Sequence, residues 1–471
     1  MCLTLVMPST PRLVRKPSAP TRRTTLLAAV LSAAAVATAT APVAHAESSD
    51  PRRLTGTLPN GATWIADVPA NYNGVLVLYS HGYNPPGNPN PPTNQPGPEA
   101  GKALLDRGYA LAGSSYASAG WTMATAADDQ LGTLAAVAGQ IGRPKRTIAL
   151  GTSMGGLVTA QLAERGAGRI DGAVATCGLV AGGLGLLDSQ LDGAHALAEL
   201  LLPGQEVKLT GYGSAAEAVQ VAVRLREATA DALRTAEGRA RLALAAALFH
   251  APTWYGGDAP PDARDWTAQV TAQQRGLADI LPFIIPARYD IEQRAGGNPS
   301  TNQGVDYRAL VRRSATARQV RELYRAAGAD LDADLARLTT TAGTGADPAA
   351  RAWVRRTSTV SGRLGMPVLS VHTTADGLVP VQFEDAYGDR VRAAHSTPLF
   401  RTAYVARTGH CTFTAAELVA SVQAMNLRLD RGHWGPVATA EWLDAAAEKT
   451  GLGAADYVRY RPGEFLGDEG R

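Results

Sequence analysis

The chain has 471 residues, 45% of them hydrophobic, which is too long for one compact domain and too apolar for a disordered one. Its 45 Lys and Arg against 42 Asp and Glu give a formal charge of +3, too little on a chain this size to argue for a nucleic-acid partner. Arg12, Arg15, Lys16, Arg22 and Arg23 all fall in residues 1–46, which hold no acid, so the remaining 425 residues carry 40 basic and 42 acidic side chains, a net of −2.

Residues 1–46 read as an export segment: a basic stretch ending at Arg22-Arg23, an apolar run from Leu26 to Val43, then Ala44-His45-Ala46 ahead of Glu47. Cleavage is expected after Ala46. The run is broken by Ser32, Thr38, Thr40 and Pro42, and no later stretch offers eighteen uninterrupted apolar residues. A secreted product without an integral membrane span is therefore expected. Thr21-Arg22-Arg23 leaves the general secretory and twin-arginine routes both open. Cys2 leaves with this segment. Cys177 and Cys411 remain, an even pair that in an oxidising compartment reads as one disulfide, with two buried free thiols as the alternative. No C-x-x-C or H-E-x-x-H spacing occurs, so neither a redox centre nor a metal site is expected.

Short apolar runs then alternate with helical stretches, the rhythm of an α/β chain with a mostly parallel sheet. The runs are Gly74–Tyr79, ending at His81-Gly82, then Tyr109–Ala112 after a helical Ala100–Arg107, then Thr147–Leu150, Ile170–Ala175, Pro367–Val371 and Ala403–Ala406. All are too short for buried helices and fit buried parallel strands. Residues 84–98 hold seven prolines and cannot pair inside a sheet, so a surface loop is expected there. Residues 178–365 carry helical signals instead: Ser214-x-x-Glu217 as a capping box, and Val320, Leu323, Tyr324 and Ala327 on one helical face. The organisation expected is thus an export segment over 1–46, a core over 47–177 and 366–471, and a helical insertion over 178–365.

Gly151-Thr152-Ser153-Met154-Gly155 has the G-x-S-x-G pattern, set directly after one strand and before the helical run 156–165. Glycines on both sides of the serine let the chain turn sharply, which holds Ser153 in a strained conformation with its hydroxyl above the sheet edge. A serine nucleophile needs a base, and the base needs an orienting acid. Asp376 follows the strand ending at Val371 and precedes Gly377 and Val379-Pro380. His410 follows the strand at Ala403–Ala406, with Thr414-x-x-Glu417 capping the next helix. His372 is the main rival for the base, and His81 is expected to shape the loop that follows the first run. His195 and His250 fall in the insertion, and His395 and His433 flank other elements. Asp385 and Asp389 read as solvated charge on a helix. The backbone N–H groups of Met154 and Tyr83 are the expected oxyanion donors.

Through His81-Gly82, the Gly151–Gly155 elbow, Asp376 and His410 in that order, the chain resembles the α/β-hydrolase superfamily over nearly all of residues 55–430. The resemblance implies an eight-stranded, mostly parallel sheet, a Ser153-His410-Asp376 triad, no cofactor, and a helical lid after the sixth strand. His410-Cys411 is also similar to the tannase and feruloyl-esterase group, whose cysteines beside the serine and the histidine are bridged. Here Thr152 precedes Ser153, and the partner left for Cys411 is Cys177, placed to brace the histidine loop from a neighbouring strand.

Trp121, Trp254 and Tyr255 are the candidate aromatic walls of a substrate site, with packing inside the insertion as the alternative. These features point to hydrolysis of a small-molecule or polymeric carboxylic ester. A peptidase of the same fold is the nearest alternative, and a non-catalytic binding protein on the same scaffold is the third. The sequence leaves oligomeric state open.

Overall fold

The computed structural model describes residues 51–257 and 259–467. The expected export segment and its cleavage point lie outside the described residues. Before the insertion the strands are β1 Arg52–Thr57, β2 Thr63–Val68, β3 Val75–Ser80, β4 Ala110–Ser114, β5 Arg146–Thr152 and β6 Gly172–Thr176. After it come β7 Val368–Ala375, β8 Phe400–Thr408 and β9 Tyr457–Val458. One sheet contains them in the order β1-β2-β4-β3-β5-β6-β7-β8-β9, with β3 to β8 mutually parallel and β1, β2 and β9 antiparallel to their neighbours.

The expected sheet of eight strands is therefore one of nine. The extra strand, β9, is two residues long, and β1 is largely exposed on a sheet edge. Neither presents the apolar run that a strand buried on both faces must have. The six central runs all became strands, and β7 extends four residues beyond Val371, so His372 lies within it.

Side chains alternate across the sheet with the period of two that strands impose. Leu76, Leu78, Ala149 and Val368 point to one face, beneath α2 Ala126–Ile141, α3 Met154–Arg165 and, from beyond the insertion, Phe383 and Tyr387. Val77, Tyr79, Ile148, Leu150 and Leu369 point to the other. That second face is covered by α1 Pro98–Asp106 and, near the end of the chain, by Val419, Val422 and Leu443. The proline-rich segment 84–98 is largely exposed loop until Pro98 opens α1, where its missing N–H costs nothing. Asn94 anchors that loop, donating to Asp67 at 2.9 Å.

Between β6 and β7 the described chain is helical: α4 Gly182–Leu201, α5 Ala215–Ala232, α6 Ala236–Leu248, α7 Trp266–Ala295, α8 Tyr307–Arg313, α9 Ala317–Ala327, α10 Leu331–Thr341 and α11 Pro348–Thr357. Ser214 caps α5 by accepting from the Glu217 N–H at 3.1 Å, while the Glu217 carboxylate turns to Gly213 and Lys208. Val320, Leu323 and Tyr324 are buried as their spacing predicts. These helices have a core of their own, centred on Leu197, Leu225, Leu244, Val270 and Leu338. Three helices complete the chain: α12 Phe383–Ala393, α13 Ala415–Arg431 and α14 Ala440–Glu448. Asp385 and Asp389 ride on α12, and Thr414 and Glu417 cap α13 reciprocally.

A buried ion pair fastens α11 to α4. The Arg351 guanidinium donates to both Asp188 oxygens at 3.2 and 3.0 Å and to the Pro299 carbonyl, and the Asp188 side chain is fully buried. Removing one partner strands the other charge in a low-dielectric interior. Arg351→Ala is expected to lower unfolding free energy by about 3–5 kcal/mol in a denaturant titration, whereas Arg312→Ala, on an exposed helix end, should leave it nearly unchanged.

Candidate active site

The parallel strands place their carboxyl ends along one edge of the sheet, where open α/β sheets present their sites. Ser153 directly follows β5, Cys177 follows β6, Asp376 follows β7, and His410 stands two residues beyond β8.

Ser153 turns the chain from β5 into α3 with φ 60° and ψ −122°, a conformation that costs a non-glycine residue of order 1–3 kcal/mol and must be held by its surroundings. Those surroundings are close-packed: a Cβ on Gly155 would collide with the Ser80 carbonyl, and one on Gly151 with the Gly155 carbonyl. On the other side Gly82 lies against the serine, where an added Cβ would meet Ser153 Cβ at 3.2 Å and Oγ at 3.6 Å.

His410 Nδ1–H donates to Asp376 Oδ2 at 2.7 Å, which leaves Nε2 as an acceptor for the Ser153 hydroxyl at 2.8 Å. Asp376 is fully buried at its side chain, and its Oδ1 accepts the backbone N–H groups of Leu378 and Val379, each at 2.9 Å. Burial pushes this carboxyl up, but the imidazoles of His410 and His372 outweigh burial and leave it at about 2. A carboxyl below its ordinary 3.8 contributes stability that is present above about pH 4 and is lost as pH falls towards 2.

Cys177 and Cys411 are bonded as a disulfide that ties the end of β6 to the histidine loop. Both residues have positive φ, 45° and 58°, and the Cys411 sulfur lies 3.2 Å from His410 Nε2. The same loop is pinned from β7, where Thr373 Oγ1 donates to the Gly409 carbonyl at 2.8 Å. Among the described residues, Cys177, His410 and Cys411 are the one grouping close enough to ligate a metal, and the two sulfurs are bonded to each other.

The chain has the α/β-hydrolase fold. Its strand order, the elbow at Ser153 and the sequence order of serine, aspartate and histidine define it. No protein-family model matches the chain. It is 29% identical over 423 residues to the o-phthalyl amidase of Xanthobacter agilis, covering 84% of this chain and 91% of that protein. Solved structures similar to this α/β-hydrolase fold include feruloyl esterase B from Aspergillus oryzae, at 14% identity and TM-score 0.36, covering 81% of this chain and 80% of that one. An esterase from Rhodococcus sp. has 16% identity and TM-score 0.35, with 80% and 99% covered. Proline iminopeptidase from Mycobacterium smegmatis has 14% identity and TM-score 0.33, with 84% and 99% covered.

In this α/β-hydrolase fold a narrow apolar cleft opens on Ser153. Tyr83, Trp121 and Met154 line it from the sheet side, and Leu186, Gln190, Phe283 and Ile284 from α4 and α7. Pro282 and Pro286 interrupt the hydrogen bonding of α7 beside Phe283 and Ile284. Of the expected aromatic walls, Trp121 is in place, while Trp254 and Tyr255 are not among the lining residues. Tyr255 lies under the Arg275 guanidinium, and the neighbouring Gly256 carbonyl accepts from Thr408 at the end of β8. Phe283, edge-on to Tyr83 at 5.7 Å, takes the wall position expected for them.

The remaining histidines separate by contact. His81 donates through Nδ1 to the Gly82 carbonyl at 2.7 Å and stacks on Tyr116, and burial lowers its pKa, so it shapes the loop as expected. His372 lies behind Asp376, with no hydrogen bond to Ser153. His195 and His250 are packed in the helical core, and burial takes His250 down to about 3.

One side chain absent from the sequence reading stands out. Asp290 of α7 accepts from the Tyr83 hydroxyl at 3.1 Å and from the Trp121 N–H at 2.7 Å, while Arg294 donates to its other oxygen at 2.8 Å. Arg294 also donates to the Ala119 carbonyl. A helical carboxylate 207 residues along the chain thus fixes the loop that carries Tyr83. Asp290→Asn is expected to slow covalent labelling of Ser153 by a serine-directed phosphonate roughly tenfold, as a misplaced donor would. Thiol titration of the denatured, unreduced protein should find no free thiol from Cys177 or Cys411; two reactive thiols would rule out the bridge.

Proposed function

We propose that the protein is a secreted serine hydrolase that cleaves carboxylic esters with an apolar, aromatic-sized acyl group. The observation that carries this reading is the unbroken hydrogen-bonded path from Ser153 Oγ through His410 to Asp376, with Ser153 opening on an apolar cavity. Ser153 Oγ attacks the carbonyl carbon while His410 Nε2 takes the hydroxyl proton. The tetrahedral oxyanion is received by the N–H groups of Met154 and Tyr83; the former opens α3, where backbone donors have no helical acceptor. The carbonyl re-forms, the alcohol leaves with the proton from His410, and an acyl-Ser153 remains. Water attacks this ester with His410 again as base, releasing the carboxylic acid and restoring the serine.

The helices of residues 178–365 act as the lid, since α4 and α7 supply one wall of the cavity. Among the described residues no carboxylate lines it, and Asp290 behind it is committed to Tyr83, Trp121 and Arg294, which argues against capture of a free amino terminus. Amide substrates with an aromatic acyl group are the second reading, supported by the similarity to an amidase. The Cys177–Cys411 bridge supports export to an oxidising compartment by the segment expected at residues 1–46.

Wild type and Ser153→Ala are to be compared on chromogenic benzoyl and short acyl esters and on the matching anilides. Ester turnover that drops by at least about 10³-fold in the variant is the expected result. Turnover of anilides alone selects the amide reading. Turnover of neither, with no phosphonate label on Ser153, leaves a binding protein on this scaffold.

A further inference from the structure

His372 is the rival histidine that the path from Ser153 does not use, and it is completely buried in β7. Both of its ring nitrogens face acceptors. Nε2–H donates to the Val379 carbonyl at 2.9 Å, and Nδ1–H donates to Glu384 Oε1 at 3.0 Å. Glu384, on α12, is also fully buried at its side chain, and the same oxygen accepts from Ser370 Oγ at 2.9 Å. A neutral imidazole has only one N–H, so a ring flanked by a carbonyl and a carboxylate oxygen is satisfied as the imidazolium. That cation sits 3.5 Å from Asp376 Oδ2, the oxygen to which His410 donates.

We propose that His372 is a positioning residue held as a buried imidazolium by Glu384 and Val379, and that its charge backs the Asp376 carboxylate and extends activity to lower pH. This rests on the proposed role of Ser153, His410 and Asp376.

Asp376 lies between two imidazoles, while Glu384 is held through Oε1 by His372 and Ser370, its Oε2 having no hydrogen-bond partner among the described residues. Although burial opposes the charge, Asp376 and Glu384 raise the His372 pKa well above its ordinary range. Its share of stability is present below the ordinary 6.5 and is lost as pH rises through about 10. The other titratable groups facing the pair are Tyr404 of β8, in register with His372, and Tyr387 of α12. Burial raises both phenols, so neither brings charge at neutral pH. Glu164 and Arg390 act on Tyr387 and Asp385 acts on Tyr404, each one group removed from the imidazolium.

The cation's effect is read without knowing the natural substrate, from the rate at which a serine-directed phosphonate labels Ser153 as pH is varied. His372→Gln removes the charge and keeps a donor for Val379. Its acid limb is expected to move up by about one pH unit, so labelling one unit below the wild-type midpoint is roughly tenfold slower, with the alkaline plateau kept within a few-fold. A lowered plateau with an unmoved midpoint would make His372 a packing residue and overturn the proposal. Should the variant not fold, nitrogen-15 NMR of the wild-type imidazoles decides: both His372 nitrogens are expected to stay protonated from pH 5 to 8, and a neutral ring overturns it. Absence of any label on wild-type Ser153 is a different failure, that of the proposed function, and the NMR result still decides the charge.

Discussion

The close approach of α3 to the end of β3 sets the geometry on which the rest of the site depends. With Gly155 pressed on the Ser80 carbonyl and Gly82 against Ser153, the turn from β5 into α3 has no room to relax its positive φ. Local strain of a few kcal/mol is small against the burial of β5 and α3, which form the centre of the sheet's core. The turn therefore stays sharp, and the hydroxyl is presented to His410 rather than folded back onto the helix. Asp376 is held just as firmly two strands further on, at the end of β7. Its two oxygens serve different masters, Oδ1 its own loop and Oδ2 the imidazole, so the acid cannot rotate without breaking the turn that carries Leu378 and Val379 to the cavity wall.

The helical insertion is coupled to this edge in more than one way. It contributes apolar surface through α4 and α7, and a single carboxylate, Asp290, that reaches across to the Tyr83 loop. It also keeps an independent core and an internal ion pair at Asp188 and Arg351. A segment with its own core can be rebuilt on its outer surface without disturbing the sheet. Changes on α7 that touch Phe283 or Asp290 alter the cavity and the loop together.

The parts legible in the sequence were those fixed by local backbone demands. The elbow announces itself because only glycine fits at positions 151 and 155, and Asp376 and His410 are marked by standing just past strand ends in that order. The central strands were legible because burial on both faces writes an uninterrupted apolar run. The edge strands β1 and β9, and β2 beside β1, lack that signature. Asp290 looks like any helical charge until packing brings it to a tyrosine 207 residues away. For the same reason Trp254 and Tyr255, chosen for their type, gave way at the cavity to Phe283, which chain packing alone selects. His372 sat in plain view as a second histidine near the acid. Its position behind Asp376 follows from β7 continuing to Ala375, a boundary that the apolar pattern ended at Val371.

The disulfide has a topological consequence. Cys177 stands immediately before the helical insertion and Cys411 beyond β8, so the covalent loop of 234 residues encloses the entire insertion together with β7 and β8. A protease that nicks an exposed turn anywhere inside that loop creates two chains but no separate fragments: Ser153 on one piece and His410 on the other remain joined beside each other. The bridge thus makes the sheet edge that carries Ser153 and His410 indifferent to a cut in the helical insertion.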